Sequence, residues 1–262
     1  GGLLIGAGIL AAITGGSAGI GRGIAEAFLR EGASVAIMAR NAGKAEQMII
    51  EQDAGDRLIF IQGDATLQES VEGFVDQTVE KFGAIDILVN NAGGAGGDLQ
   101  PTVNLSDGEF DFCMKINLYA TFWGTRRALK TMLVKQSGRI INISSVEGKH
   151  GKPVLTAYTA AKHAINGMTK SVAREVGTEG ITVNSICPGL ILTDIVRDTG
   201  PATAEAMGMT FDQMVEMFVA DSAIKRPNEV KEVAELAVLL ASEAGAGITG
   251  QQISVDGGTS QY

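Results

Sequence analysis

Short runs rich in β-branched residues alternate with long amphipathic stretches from one end of the 262-residue chain to the other. This alternation limits the fold more than any other feature. Strands separated by helices must lie parallel, with right-handed crossovers that bury both faces of one sheet. The pattern predicts strands over Ile9–Ile13, Ser34–Met38, Leu58–Ile61, Asp86–Asn90, Arg139–Ser144, Ile181–Ile186 and Gln251–Val255. Asp86–Asn90 ends in the unbroken apolar run of a strand covered on both sides. Helices are expected from Gly19 to Gly32, from an Asn41 cap to Gly55, and from a Thr66/Glu69 capping box to Phe82. Further helices are expected from a Ser106/Glu109 capping box to about Lys135, and over Thr156–Val176 and Asn228–Ser242. The expected fold class is therefore α/β: a doubly wound sheet of seven parallel strands with helices on both faces.

No linker, repeat or compositional break interrupts the pattern, so residues 1–262 are expected to form a single domain. The rhythm changes only at about 193–223. There a helical stretch carrying Met207, Met209, Met214 and Met217 is inserted between the sixth strand and the last helix. The formal charge is −9, with no basic run, which weighs against nucleic acid and anionic membrane surfaces as partners. Gly1 to Ile13 is apolar but too short to span a bilayer, and it lacks the basic leader of a signal peptide. It reads as a first strand with a ragged start, and a cytoplasmic location is expected. Cys113 and Cys187 read as two separate buried thiols of a reducing compartment. His150 and His163 are the only histidines, so no metal site is expected.

Directly after the first strand comes Thr14-Gly15-Gly16-Ser17-Ala18-Gly19-Ile20-Gly21, which also opens the first helix. Glycines in that position permit a tight turn, let the backbone approach a pyrophosphate, and let helix pack against strand. The helix N-terminus offers unpaired N–H groups and a positive dipole end to the phosphate charge. Gly15, Ser17, Gly19, Ile20 and Gly21 are the expected contacts.

The Thr-Gly-x-x-x-Gly-x-Gly spacing resembles that of the short-chain dehydrogenase/reductase family, and further family motifs follow in order. They are Asn90-Asn91-Ala92-Gly93 ending strand four, Asn117 in the next helix, Ser145 after strand five, and Tyr158-x-x-x-Lys162. Pro188-Gly189 after strand six and Val255-Asp256-Gly257-Gly258 near the C-terminus complete the set. The resemblance covers essentially the whole chain. Its one departure is Ile9, which stands where family members usually carry a polar residue. It implies a Rossmann-like fold, a nicotinamide cofactor, a small helical substrate lid, and a homotetramer built partly on the helices of Asn117 and Tyr158. It further implies cofactor contacts from Asn91, Ala92, Gly93, Pro188, Gly189, from Asp64 and Ala65 beside the adenine, and from Thr193 at the carboxamide.

Hydride transfer to a carbonyl builds charge on oxygen, so a proton donor and orienting polar groups are needed there. Tyr158 and Lys162, four apart, share a helix face. A phenol titrates near ~10 in water, and a neighbouring ammonium should lower that value. Tyr158 is accordingly expected as general acid in reduction and base in oxidation. By resemblance Lys162 also holds the nicotinamide ribose, Ser145 bonds the substrate oxygen, and Asn117 anchors a water relaying protons to Lys162. Ser145, rather than Ser144, stands at the family's interval before Tyr158.

The second strand ends Met38-Ala39-Arg40-Asn41, without the carboxylate that NAD-binding sites place roughly 20 residues past the glycine turn. An arginine there can fork onto a 2′-phosphate. NADP(H) is expected over NAD(H), with Arg40 and Asn41 at that end of the cofactor. Met207, Phe211, Met214, Met217 and Phe218 could form an adaptable apolar wall for a partly hydrophobic substrate, or simply pack. Glu147, Lys149 and His150 could meet a polar substrate group or form a solvated loop. His163, Trp123 and Cys187 read as packing residues. The expected activity is NAD(P)-dependent interconversion of a ketone and a secondary alcohol, on a 3-oxoacyl, steroid or cyclic ketone, 3-hydroxy acid or polyol-like molecule. The alternatives are a non-catalytic NAD(P)-binding regulatory protein, and an isomerase or dehydratase retaining its cofactor.

Overall fold

The computed structural model describes residues 5–95 and 99–262. The first four residues of the expected ragged start lie outside that range. Seven strands form one sheet: β1 (Leu10–Thr14), β2 (Ser34–Ala39), β3 (Leu58–Gln62), β4 (Ile87–Asn90), β5 (Gly138–Ile143), β6 (Ile181–Pro188) and β7 (Gln252–Val255). All pair in parallel, in the order β3-β2-β1-β4-β5-β6-β7. The order reverses between β1 and β4. At such a reversal, connections leave in opposite directions and open a crevice at the strands' C-terminal ends.

The helices are α1 (Gly19–Arg30), α2 (Ala42–Gln52), α3 (Gln68–Phe82), α4 (Asp107–Met114), α5 (Ala120–Lys135), α6 (Thr156–Val176), α7 (Asp194–Ala206), α8 (Phe211–Phe218) and α9 (Val230–Ala241). Alternate side chains of each strand feed two separate cores. Ala11, Ile13, Val35, Ile37 and Val89 pack with Phe28 of α1 and Val233 and Val238 of α9. Ala12, Ala36, Leu88 and Ile140 pack with Phe74 of α3, Met132 of α5 and Ala173 of α6. Phe28 and Phe74 are fully buried, each contributing about 1.5–3 kcal/mol of transfer free energy.

Two details depart from the sequence expectation. Thr66 does not cap α3: its N–H and its hydroxyl both donate to Asp64 Oδ1 at 2.8 Å. A carboxylate two residues upstream is a stronger acceptor than the helix end is a donor, and it wins the side chain. The Ser106/Glu109 box does form, with Glu109 N donating to Ser106 Oγ (3.2 Å) and Ser106 N to Glu109 Oε2 (2.9 Å). The long helix it opens is not continuous, however. Residues Lys115–Tyr119 form a π-helical turn between α4 and α5, with Asn117 buried inside it. Such turns insert one extra residue into a helix and occur often at functional sites.

The insertion after β6 holds two helices, α7 and α8. Its two feet are tied together: Ile191 bridges Asn228, and Asn228 N donates to Leu190 O at 2.9 Å. Among the described residues, no helix is long and apolar enough to cross a membrane.

Candidate active site

A cavity of about 530 Å³ lies at the strand reversal, walled by the glycine turn, the ends of β2 to β6, α6 and the start of α7. Gly15 (φ +65°) and Gly19 (φ +53°) occupy left-handed backbone that only glycine adopts without strain. No side chain caps α1, so its first-turn N–H groups remain available to an anion. The turn is held from behind by β4. Thr14 Oγ1 accepts from Asn91 N and Ala92 N at 3.0 Å. Asn91 Nδ2 donates to Thr14 O and Gly15 O at 3.1 and 3.0 Å.

Gly15, Ser17, Gly19, Ile20, Arg40, Asp64, Ala65, Asn91, Ala92, Gly93, Pro188, Gly189 and Thr193, all expected cofactor contacts, border this cavity with Tyr158 and Lys162. Gly21 and Asn41 do not. Gly21 lies beneath the turn, where a Cβ would stand 2.2 Å from Gly15 O; its role is close packing of helix on turn. Asn41 faces away and caps α2, accepting from Lys44 N at 3.4 Å. Met38, Gly63, Gly94, Ile143, Leu190 and Val196 also border the cavity. They carry no motif, but all except Val196 of α7 lie at or shortly after the C-terminal end of a strand, where the crevice rule alone would have pointed to them.

At the far end of the cavity the β5 end and α6 bring the polar groups together. Ser144 and Ser145 divide cleanly. Ser144 Oγ donates to Lys162 O at 3.3 Å, whereas Ser145 Oγ accepts from Glu147 N at 3.1 Å and bonds to the Tyr158 hydroxyl. Lys162 Nζ donates to Ile143 O at 2.9 Å and lies 5.4 Å from the Tyr158 ring centroid. Asn117 does not border the cavity. Its Nδ2 donates to Gly94 O (2.8 Å) and Cys113 O (2.9 Å), and its Oδ1 accepts from Gly94 N (3.1 Å). Gly93 fits between Asn117 and Lys162, since a Cβ there would lie 2.5 Å from Asn117 Oδ1 and 3.4 Å from Lys162 Nζ.

Burial dominates the titration of this group. The Tyr158 phenol is pushed up to about 12 by loss of water, only partly offset by its bond to Ser145. Burial also pushes Lys162 down, to about 8. The expectation that Lys162 lowers Tyr158 is therefore not met in this state of the site. The cost of a phenolate excluded from water exceeds what the ammonium, 5.4 Å from the ring centroid, offsets. The phenol is fully protonated at neutral pH and suited to donate. Asp64 lies below the ordinary carboxylate range, mainly through the Thr66 N–H and to a lesser extent through the Arg40 charge.

The remaining candidates sort as follows. Glu147 is not part of a solvated loop: its side chain is buried, 3.6 Å from His150 Nε2 and 3.4 Å from Lys152 Nζ. Lys149 is turned elsewhere, donating to Tyr262 O at 2.5 Å. Cys187 is buried and Trp123 packs against Tyr119. His163 is exposed rather than packed, with Nδ1 2.9 Å from Thr159 O. In the insertion, Met214, Val215 and Phe218 line a second cavity of about 200 Å³ together with Leu190 and Val196, which also border the first. Met207 and Met217 face solvent.

Residues 10–204 match the family model described as short chain dehydrogenase. D-beta-hydroxybutyrate dehydrogenase of Rhizobium meliloti (strain 1021) is 36% identical over 255 residues, covering 95% of this chain and 97% of that protein. (+)-Borneol dehydrogenase 2 of Salvia officinalis is 37% identical over 256 residues, covering 96% and 89%. The solved structure of an actinorhodin polyketide ketoreductase variant with NADPH superimposes with a TM-score of 0.90 at 32% identity, over 97% of this chain and 98% of that one.

Proposed function

The chain belongs to the short chain dehydrogenase family, an oxidoreductase family acting on hydroxyl and keto groups, and from that membership we propose that it interconverts a ketone and a secondary alcohol on a small, partly hydrophobic substrate with NADP(H). The observation that carries this reading is the meeting of Tyr158, Ser145 and Lys162 at one end of a cavity whose other end is an uncapped helix behind a glycine turn. Gly15, Ser17, Gly19 and Ile20 of the turn would hold the nicotinamide dinucleotide, which would supply or accept the hydride at the reacting carbon. Tyr158 donates its proton to the carbonyl oxygen in reduction and takes it back in oxidation. Ser145 orients that oxygen. Lys162, fixed on Ile143 O, places positive charge against the phenolate left behind. Asn117, locked in the π-helical turn, holds Gly94 at the edge of the cavity through both ends of its amide. Absorbance at 340 nm with a panel of ketones and alcohols tests the reading; an unchanged trace with every pair tried, alongside intact cofactor binding, would favour the non-catalytic alternative.

Arg40 at the β2 end is the basis for placing NADP(H) ahead of NAD(H), since its guanidinium suits a 2′-phosphate. Arg40→Ala is expected to raise the KM for NADPH by about tenfold or more, the value of one charged hydrogen bond, and to leave that for NADH nearly unchanged. Equal effects on both cofactors would remove the preference. In this reading α7 and α8 act as the substrate lid of a single catalytic domain, and the chain assembles as a homotetramer. A sedimentation measurement tests the last point.

A pH dependence follows from Lys162. Its value of about 8 lies below that of ordinary lysine, so in the folded protein its charge is present below pH 8 and lost above. The Tyr158 phenol, at about 12, stays protonated throughout. Ketone reduction should therefore decline as pH rises through about 8, because the developing phenolate loses the charge facing it. A rate independent of pH from 7 to 9.5 would contradict this.

A further inference from the structure

The second cavity, of about 200 Å³, lies between α7, α8 and the end of β6 and has no part in the mechanism above. It shares Leu190 and Val196 with the first cavity, so the two adjoin. Phe218, at the end of α8, forms another part of its wall. Lys152 Nζ stands 5.1 Å from the centroid of that ring, within cation–π range, and 3.4 Å from Glu147 Oε1. Glu147 N in turn donates to Ser145 Oγ at 3.1 Å. The cavity is therefore tied through Leu190 and Val196 to the first cavity, and through Phe218 and Lys152 to the turn that carries Ser145. Its lining is mainly hydrocarbon. The two hydroxyls among its residues are already engaged: Thr199 Oγ1 donates to Ile195 O (2.7 Å) and Thr203 Oγ1 to Thr199 O (3.1 Å).

We propose that this second cavity receives the apolar part of the substrate, a ring or branched alkyl group of about six to eight carbons on the reacting carbonyl carbon, and that Lys152 is the positioning residue that fixes its Phe218 wall. This narrows the substrate class of the reaction proposed above and rests on that reading. The size follows from the volume: an apolar cavity of about 150 Å³ holds benzene, and this one has about 200 Å³. The chemistry follows from the lining. A polyol or a carboxylate placed there would lose its hydration with no proton donor to replace it. Lys152 does not line the cavity, and Glu147 already faces its charge. Met214, buried in the wall, has the flexible side chain that adapts to a ring or to a branch. Phe218 ends its helix, so packing from α8 holds it on one side only. The cation on its face, backed by the carboxylate, keeps the ring against the cavity.

The test compares kcat/KM for methyl cyclohexyl ketone, butanone and the oversized methyl naphthyl ketone. The wild-type protein should prefer the cyclohexyl ketone to butanone by about tenfold or more, the value of several buried methylene groups. Val215→Trp, which fills the cavity, should cut that preference by about tenfold, and an unchanged ratio overturns the subsite. Should Val215→Trp fail to fold, Met214→Ala enlarges the cavity instead and must raise the naphthyl-to-cyclohexyl ratio. Lys152→Met frees the Phe218 ring and should raise the same ratio by about two- to fivefold, the worth of one cation–π contact, through KM and not kcat. Lys152→Arg keeps a cation on the ring and should match wild type. Equal ratios in all three proteins, or a change shared by the Met and Arg variants, refute the role of Lys152. A second measurement needs no turnover. By fluorine NMR, fluorobenzene should bind saturably to the wild-type protein and lose that binding in Val215→Trp. Binding absent from the wild type, or kept in the variant, overturns the subsite. If no ketone is turned over while fluorobenzene still separates the two proteins, the ketone reading fails and the apolar subsite stands.

Discussion

Tyr158→Phe is expected to lower kcat by about 10²- to 10⁴-fold, the usual contribution of a positioned proton donor, with little change in cofactor affinity or melting temperature. The substitution removes one oxygen and leaves the ring in its packing. That oxygen bonds to Ser145 at one end of the cavity, whereas the glycine turn at the opposite end does not depend on it. Ser145 keeps its bond from Glu147 N, so the turn after β5 should hold its shape. Stopped-flow turnover and a fluorescence titration with NADPH, made on the same preparation, separate the two effects. Turnover near the wild-type rate with cofactor bound would remove Tyr158 from the chemistry.

The second large effect is expected at Gly21, where the obstruction is backbone. An added Cβ would stand 2.2 Å from Gly15 O and 2.3 Å from Asn91 Nδ2. Neither can move cheaply, because Asn91 Nδ2 is already bonded to Thr14 O and Gly15 O. Gly21→Ala must therefore displace α1 from the turn or break those bonds. Overpacking of about 1–3 kcal/mol together with lost hydrogen bonds of about 1 kcal/mol each gives a destabilisation of about 3 kcal/mol or more. Gly108 on α4 provides the contrast: it has ordinary backbone and nothing within 4 Å of its would-be Cβ. Gly108→Ala should be neutral or slightly stabilising. Denaturant melts of the two variants would measure the difference, and NADPH binding should weaken only in Gly21→Ala.

The alternation of strands and helices was readable because each parallel strand must be apolar over its whole length, leaving a contrast that composition alone reveals. The motif residues were readable for a related reason: their chemistry forbids substitutes, as at Gly15 and Gly19 with their left-handed backbone. What escaped the sequence depends on competition between neighbours. Thr66 and Glu69 have capping-box spacing, but Asp64 takes the threonine first. The π-helical turn at Lys115–Tyr119 leaves no mark in the hydrophobic pattern, because a single turn is too short to show a change of period. Glu147, Lys149 and His150 look like a solvated loop by composition, and only the packing of the turn against α6 decides that Glu147 is enclosed. The shift of Tyr158 is of the same kind: adjacency to Lys162 is visible in the spacing, whereas exclusion of water is a property of the assembled fold.

The bridge between Ile191 and Asn228 has a consequence for how this chain can be altered. With both feet of the α7–α8 segment clamped by the scaffold, its ends are held together whatever lies between them, and the entropy of closing a loop grows only with the logarithm of its length. Residues 192–227 can thus change in length without parting their ends, but Thr193 and Val196 among them wall the cavity beside the glycine turn and would have to be kept.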